Sequence, residues 1–364
     1  MAKKEKKTRT PLFHIVKRGQ VPFVTAVLVR VIAVVSALLV SAVLIMMLTG
    51  KNPIEVYGSM INGVFGTATR RWSLAQNMAI LLCISLAVTP AFKMKFWNCG
   101  AEGQVLVGGL AAVSVMMFLG GTVPYWLLVV LMTVCSILAG MLWAFLPAVF
   151  QVHWNTNETL FTLMMNYVAI QLVAWFLKTF VKSGSGALAS MPEYGLPNLF
   201  GMPYLLNIVL VAILTVAVYI YLKYSKQGYE IAVVGESQNT ARYIGINVKK
   251  VVLRTMLISG AVCGIAGLLL VGGTSHTINT NTVGGQGFTA IMVSWLAKFN
   301  PLMMVLTTFL IVFLKLGAGQ VSTDFRIDTS ISDIVTGIIL LFIIGCEFFL
   351  QYKIAVQKKE KEAV

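Results

Sequence analysis

Ten apolar runs recur along the chain, near residues 23–48, 74–92, 104–119, 124–149, 160–181, 203–223, 251–273, 286–298, 301–318 and 331–350. Several reach about 20 residues, the length an α-helix needs to cross a bilayer core. Inside hydrocarbon each backbone N–H and C=O must find its partner within the protein. The runs therefore predict an all-α, polytopic membrane domain of about ten helices over residues 23–350. Composition agrees: 58% of the residues are hydrophobic and 11% charged, against about one quarter charged in a soluble domain. The runs at 104–119 and 286–298 are short for a crossing, which leaves re-entrant or half-spanning helices as an alternative there.

The charges give an orientation. Taking all ten runs as crossings with the first residues inside, the cytoplasmic segments are 1–22, 93–103, 150–159, 224–250, the link near Lys298, and 351–364. Most of the 28 Lys and Arg fall in or beside them, and the external side keeps only Lys51, Arg70, Arg71, Lys182 and Arg326. This bias follows the positive-inside rule and puts both termini on the cytoplasmic side. The first 22 residues read as a basic tail before a retained first helix rather than a cleavable signal, because the apolar run is of spanning length. Residues 351–364 form a second basic tail. A net charge of +15 gathered at span ends is topology rather than a nucleic-acid surface. The cysteines (Cys83, Cys99, Cys135, Cys263, Cys346) and the histidines (His14, His153, His276) are scattered, without metal-ligand or redox spacing.

One polar stretch interrupts the apolar pattern. Residues 235–250, GESQNTARYIGINVKK, lie in the largest cytoplasmic loop, about 224–250. Ser237 suits an N-cap. Gln238 to Ile244 lack Pro and Gly, and Gly245 followed by Ile246 suits a left-handed stop. Two turns of helix are unstable alone, so this piece needs a surface to hold it.

These residues resemble the coupling loop of permease subunits of bacterial ABC importers, in the group serving simple sugars, nucleosides and branched-chain amino acids. Three further stretches resemble the same family: FWNCGAEGQVLVGG (96–109), NETLFTLMMNYVA (157–169), which is closest to nucleoside-type members, and GGQGFTAIMVSWLAKFNP (284–301). The resemblance covers roughly residues 20–350. Three departures stand out: Ser237-Gln238 in place of a common Asn-Pro, Thr240 in place of Ala, and Cys99 in place of Ile.

The resemblance implies a type II ABC importer architecture in the bacterial plasma membrane. It also implies an ABC ATPase partner gripping Gly235, Glu236, Ser237, Ala241, Arg242, Tyr243, Gly245 and Ile246. A second permease (copy or paralogue) and an extracytoplasmic substrate-binding protein complete the machine. In nucleoside-type members a longer permease often pairs with a shorter one, and this basic N-terminus fits the longer role. The chain itself has no GxxxxGK[ST] phosphate loop; its Gly50-Lys51 pair lacks the required preceding glycine. It is therefore expected to bind no cofactor and to be non-catalytic, with ATP and Mg on the partner. The rival class, an ion-coupled transporter, needs ionisable groups at mid-membrane. The acidic residues lie instead in tails, loops or span ends, as Glu102, Glu158 and Glu347 do, and Arg30, Lys178 and Lys315 are isolated. A channel would need a ring-forming filter, and none stands out.

A translocation path needs polar groups within apolar runs. Trp97, Asn98, Glu102 and Gln104 cluster at the start of one run, and Asn166 and Gln171 lie on another, about 140° apart around a helix. Amides plus an aromatic ring suit a neutral, hydroxyl-rich solute with a flat ring. The same amides equally suit interhelical hydrogen bonding, and Glu102 equally suits a structural pair with Lys95. Gly260, Gly264 and Gly267 read as a close-packing helix face, and GGQG at 284–287 as the break before a half-span. The expected cargo is a nucleoside, with a pentose or other simple sugar as the alternative.

Overall fold

The computed structural model describes residues 13–17, 22–181, 186–202, 204–326 and 328–356. Much of the two basic tails, at 1–12, 18–21 and 357–364, lies outside the described residues. Thirteen α-helices fill nearly all of the rest: α1 (Phe23–Thr49), α2 (Pro53–Phe65), α3 (Ala68–Lys93), α4 (Ala101–Leu119), α5 (Tyr125–Trp154), α6 (Glu158–Phe180), α7 (Leu205–Tyr224), α8 (Lys226–Glu236), α9 (Gln238–Tyr243), α10 (Val248–Leu270), α11 (Gln286–Leu296), α12 (Pro301–Phe325) and α13 (Thr329–Gln351). Each apolar run is a helix. Seven of them (α3 to α7, α10 and α12) are long and apolar enough over described residues to cross a membrane, so this is a multi-pass membrane protein.

The helices divide into two compact units, residues 1–64 with 314–364 and residues 65–313. In the first, α1 packs on α13. Just outside these helices, β1 (Phe13–Lys17) and β2 (Tyr352–Val356) form an antiparallel ribbon in which Phe13 faces Val356 and Lys17 faces Tyr352. The ribbon places the two terminal segments at one end of the α1–α13 pair. Amphipathic α2 turns Val56, Met60 and Val64 inward at helical spacing.

In the second unit α3 and α10 are mostly buried, whereas α5, α6 and α7 bury a third or less of their spanning stretch. Glycines set the packing of the centre. A Cβ on Gly264 would stand 2.2 Å from the Ser136 carbonyl oxygen of α5, one on Gly260 2.4 Å from that of Gly140, and one on Gly267 2.3 Å from that of Val105 on α4. The α10 backbone thus lies directly against both neighbours, as small residues at four- and three-residue spacing allow. Beyond Leu270 a π-turn (Val271–Ser275) ends the helix. There Gln76 of α3 hydrogen-bonds Thr274, and Asn207 of α7 donates to the Gln76 oxygen at 3.3 Å.

The two short runs differ. Helix α4 has 19 residues, about 28 Å, and α11 has 11, about 16 Å. Helix α11 is the half-length element, and Gly284 and Gly285, both at positive φ, break the chain ahead of it. The polar loop at 224–250 is almost entirely helical, since α8 and α9 fill it.

Candidate coupling and translocation residues

Helix α9 is built from its own ends. The Ser237 hydroxyl accepts a hydrogen bond from the Thr240 N–H at 3.2 Å. At the other end the Ile246 N–H donates to the Ala241 carbonyl at 2.9 Å and the Gly245 N–H to that of Arg242 at 3.1 Å. These are the two bonds of a Schellman stop, with Gly245 at φ +84°. Only Ala241 of the helix is buried. Tyr243 is 90% exposed and Ile244 55%. Arg242 is also exposed and donates to the Asn239 side chain at 3.4 Å. Glu236 and Gly245 are exposed, and Ser237 and Ile246 are partly so.

The surface that holds α9 is α8. Ser225 caps α8 by accepting from the Gly228 N–H at 2.9 Å, and Ile231, Val234 and Gly235 are buried. Gly235 meets the end of α3 so closely that a Cβ would stand 2.1 Å from the Lys93 carbonyl oxygen. Arg254 of α10 pairs with Glu230 of α8 at 2.9 Å. The eight residues of the expected docking element therefore form one turn–helix–turn. Two of them, Gly235 and Ala241, face the protein, and Arg242 and Tyr243 face away from it.

The six path candidates gather mostly around the start of α4, which begins inside the fold. Asn98 is fully buried and bonds Ser259 at 3.3 Å; Ser259 lies about 16 Å along α10 from its Val248 start. A helix that starts there exposes unpaired N–H groups to a low-dielectric interior, and each must be satisfied. The side chain of Asn98 accepts from the Gly100 N–H at 3.1 Å and from Gln104 Nε2 at 3.0 Å. Asn166 of α6 accepts from the Gly103 N–H at 2.9 Å and donates to the Cys99 carbonyl at 2.9 Å. Thr162 accepts from the Cys99 N–H at 3.2 Å.

Glu102 does the same for α11. Its carboxylate accepts from the Gly285 N–H at 2.8 Å and from the Gly287 N–H at 2.7 Å. One carboxylate thus caps the half-helix from the first turn of α4, where the α4 dipole also favours a negative charge. A Cβ on Gly287 would meet the Glu102 backbone nitrogen at 2.4 Å, so glycine is required for this approach. Gln171 is exposed on the opposite side of α6 from buried Asn166. Trp97 is 45% exposed and stacks on Trp295 of α11, centroids 5.6 Å apart.

Sequence reasoning picked out the amides here but not Thr162, Ser259 or Trp295. The hydroxyls were detectable as Ser and Thr inside apolar runs; Trp295 carries no such local signal.

A family model described as "Branched-chain amino acid transport system / permease component" matches residues 72–344. The chain is 30% identical over 324 residues to the guanosine ABC transporter permease protein NupP of Bacillus subtilis, covering 87% of this chain and 92% of that protein. It is 28% identical over 357 residues to a glucose ABC transporter permease protein of Haloferax volcanii, covering 93% and 92%. It is 25% identical over 331 residues to the nucleoside ABC transporter permease protein NupB of Lactococcus lactis, covering 87% and 90%. The chain belongs to this permease family and is a permease component of an ABC importer of the sugar and nucleoside group.

Proposed function

We propose that this chain is the non-catalytic, membrane-spanning subunit of an ATP-driven importer that passes a nucleoside across the bacterial plasma membrane by alternating access. The observation that carries the mechanism is α9: a short, doubly capped helix that leaves Arg242 and Tyr243 free of the fold. Arg and Tyr are anchor chemistry at protein interfaces, and α9 backs onto α8, which touches α3 and α10. An ATPase closing on α9 would therefore act on the two most buried spans. ATP and Mg belong to that partner, and this chain binds no cofactor.

A second permease subunit (copy or paralogue) and an extracytoplasmic binding protein complete the importer. In this reading α9 faces the cytoplasm and both termini lie there too. That agrees with the positive-inside bias and with the ribbon holding the two terminal segments together. Residues 1–22 and 351–364 flank the permease domain as basic tails.

The nucleoside assignment rests on the guanosine and nucleoside permeases among the relatives and on the flat-ring chemistry of the aromatic residues beside the path candidates. Import of a simple sugar such as a pentose is the second reading, favoured by the glucose permease relative. Family membership leaves the ion-coupled alternative without support. Uptake of labelled nucleosides and pentoses into cells with and without the chain, with ATP depleted in parallel, tests all of this. ATP-dependent nucleoside uptake that is lost with the chain is expected. Loss of pentose uptake alone would move the cargo to the second reading, and uptake that survives ATP depletion would overturn the mechanism.

A further inference from the structure

Four aromatic rings meet where α3 ends, α4 is about to begin and α11 descends. Phe92, the last residue but one of α3, is buried. Its ring stands edge-on to Trp97 at 5.8 Å and to Trp295 at 6.3 Å. The two indoles stack on each other at an interplanar angle of 28°, and Phe299 stands edge-on to Trp295 at 5.3 Å. The group is held rigidly. Ser294, next to Trp295, shares a 2.6 Å hydrogen bond with Thr89 of α3, and Asn98, next to Trp97, is fixed by Gln104 and Ser259.

Yet the two largest rings of this braced cluster stay open, Trp97 at 45% and Trp295 at 48% exposure. Among the described residues neither indole N–H has a hydrogen-bond acceptor. A preformed, half-exposed pair of indoles with two unused donors is matched to a flat ring that carries acceptor atoms. An acyl chain would use neither the rings' orientation nor the N–H groups. The shelf also sits beside the α3 terminus that presses on Gly235, next to the proposed drive.

We infer that Trp97 and Trp295 form a stacking shelf for the base of the transported nucleoside. This inference rests on the nucleoside reading above. Bases stack on any aromatic face, with the larger purine gaining more, and loss of one such stack weakens binding by roughly an order of magnitude. The shelf thereby contributes a preference for ring-bearing cargo in the permease itself.

The test is maximal uptake of guanosine and of uridine by cells carrying the complete importer. It compares wild type with Trp97→Leu, Trp295→Leu, Trp97→Phe and Trp295→Phe, each normalised to the amount of permease in the membrane. Either Leu variant is expected to lower guanosine uptake about tenfold and uridine uptake less, and the Phe variants to restore most of it. Equal loss of both solutes, or equal loss in the Leu and Phe variants, is the result of a merely interfacial or packing role and overturns the shelf. Nucleoside uptake unchanged in both Leu variants overturns the shelf alone. A wild type that takes up no nucleoside overturns the substrate reading and the shelf with it.

Discussion

Helix α9 and the paired starts of α4 and α11 solve one problem by opposite means. Each is a helix end whose N–H or C=O groups lack intrahelical partners. Helix α9 closes its ends with neighbours in sequence, Ser237 on one side and Gly245 with Ile246 on the other. Helices α4 and α11 begin inside the fold and borrow distant side chains: Asn166 from α6 for the first, Glu102 for the second. Water surrounds much of α9, so a lost cap there is partly replaced. No such replacement is at hand for α4 and α11, where an unpaired group costs its full desolvation. The local solution suits an element that must be presented to a partner, and the borrowed one suits elements locked into a core.

Substitutions at the two places sharpen this contrast, and the largest loss is expected at Glu102. Glu102→Ala removes two charge-assisted bonds from the α11 start, for about 3 kcal/mol or more of stability, measured by thermal unfolding of the purified protein in detergent. A loss below about 1 kcal/mol would show that α11 does not depend on this carboxylate. Asn166→Leu strips the Gly103 N–H and the Cys99 carbonyl of their partner at once and is expected to cost about 2 kcal/mol in the same assay. Gly245→Ala forces a Cβ into the left-handed region, for about 1 kcal/mol, read as faster amide exchange across α9 with the remainder of the protein unchanged. Ser237→Ala removes one partly solvated cap and should cost about 1 kcal/mol or less, confined to α9 in the same exchange measurement. If Ser237→Ala destabilised the protein as much as Asn166→Leu, the distinction between local and borrowed caps would fail.

The same contrast explains what could be read from the chain. The caps of α9 were legible because every residue involved lies within ten positions. The apolar runs gave all ten long or half-length apolar helices, since apolar length needs no tertiary information. Helices α2 and α8 escaped because their apolar residues are spaced rather than continuous. Their signals were the caps, Asn52 before Pro53 and Ser225 before Lys226. The ribbon of β1 and β2 joins opposite ends of the chain, which no local pattern announces. At the start of α4 the sequence marked Asn98, Glu102, Gln104 and Asn166 as polar residues in apolar surroundings, but apart from the Asn98–Gly100 bond their bonding partners are 6 to 185 residues away. Polarity could be seen from the sequence, and its use for capping could not.

The central claim is that α9 is presented for a partner rather than kept for the fold, and Arg242→Glu tests it most directly. The side chain is exposed and, among the described residues, bonds the neighbouring Asn239, so the variant should unfold at the wild-type temperature within about 1 °C, surface substitutions being worth a few tenths of a kcal/mol. Co-purification of the ATPase with the permease and ATP-driven uptake should both fall at least tenfold, as reversal of a charged interface anchor does. A variant that folds, keeps its ATPase and transports at the full rate would contradict the docking role of α9.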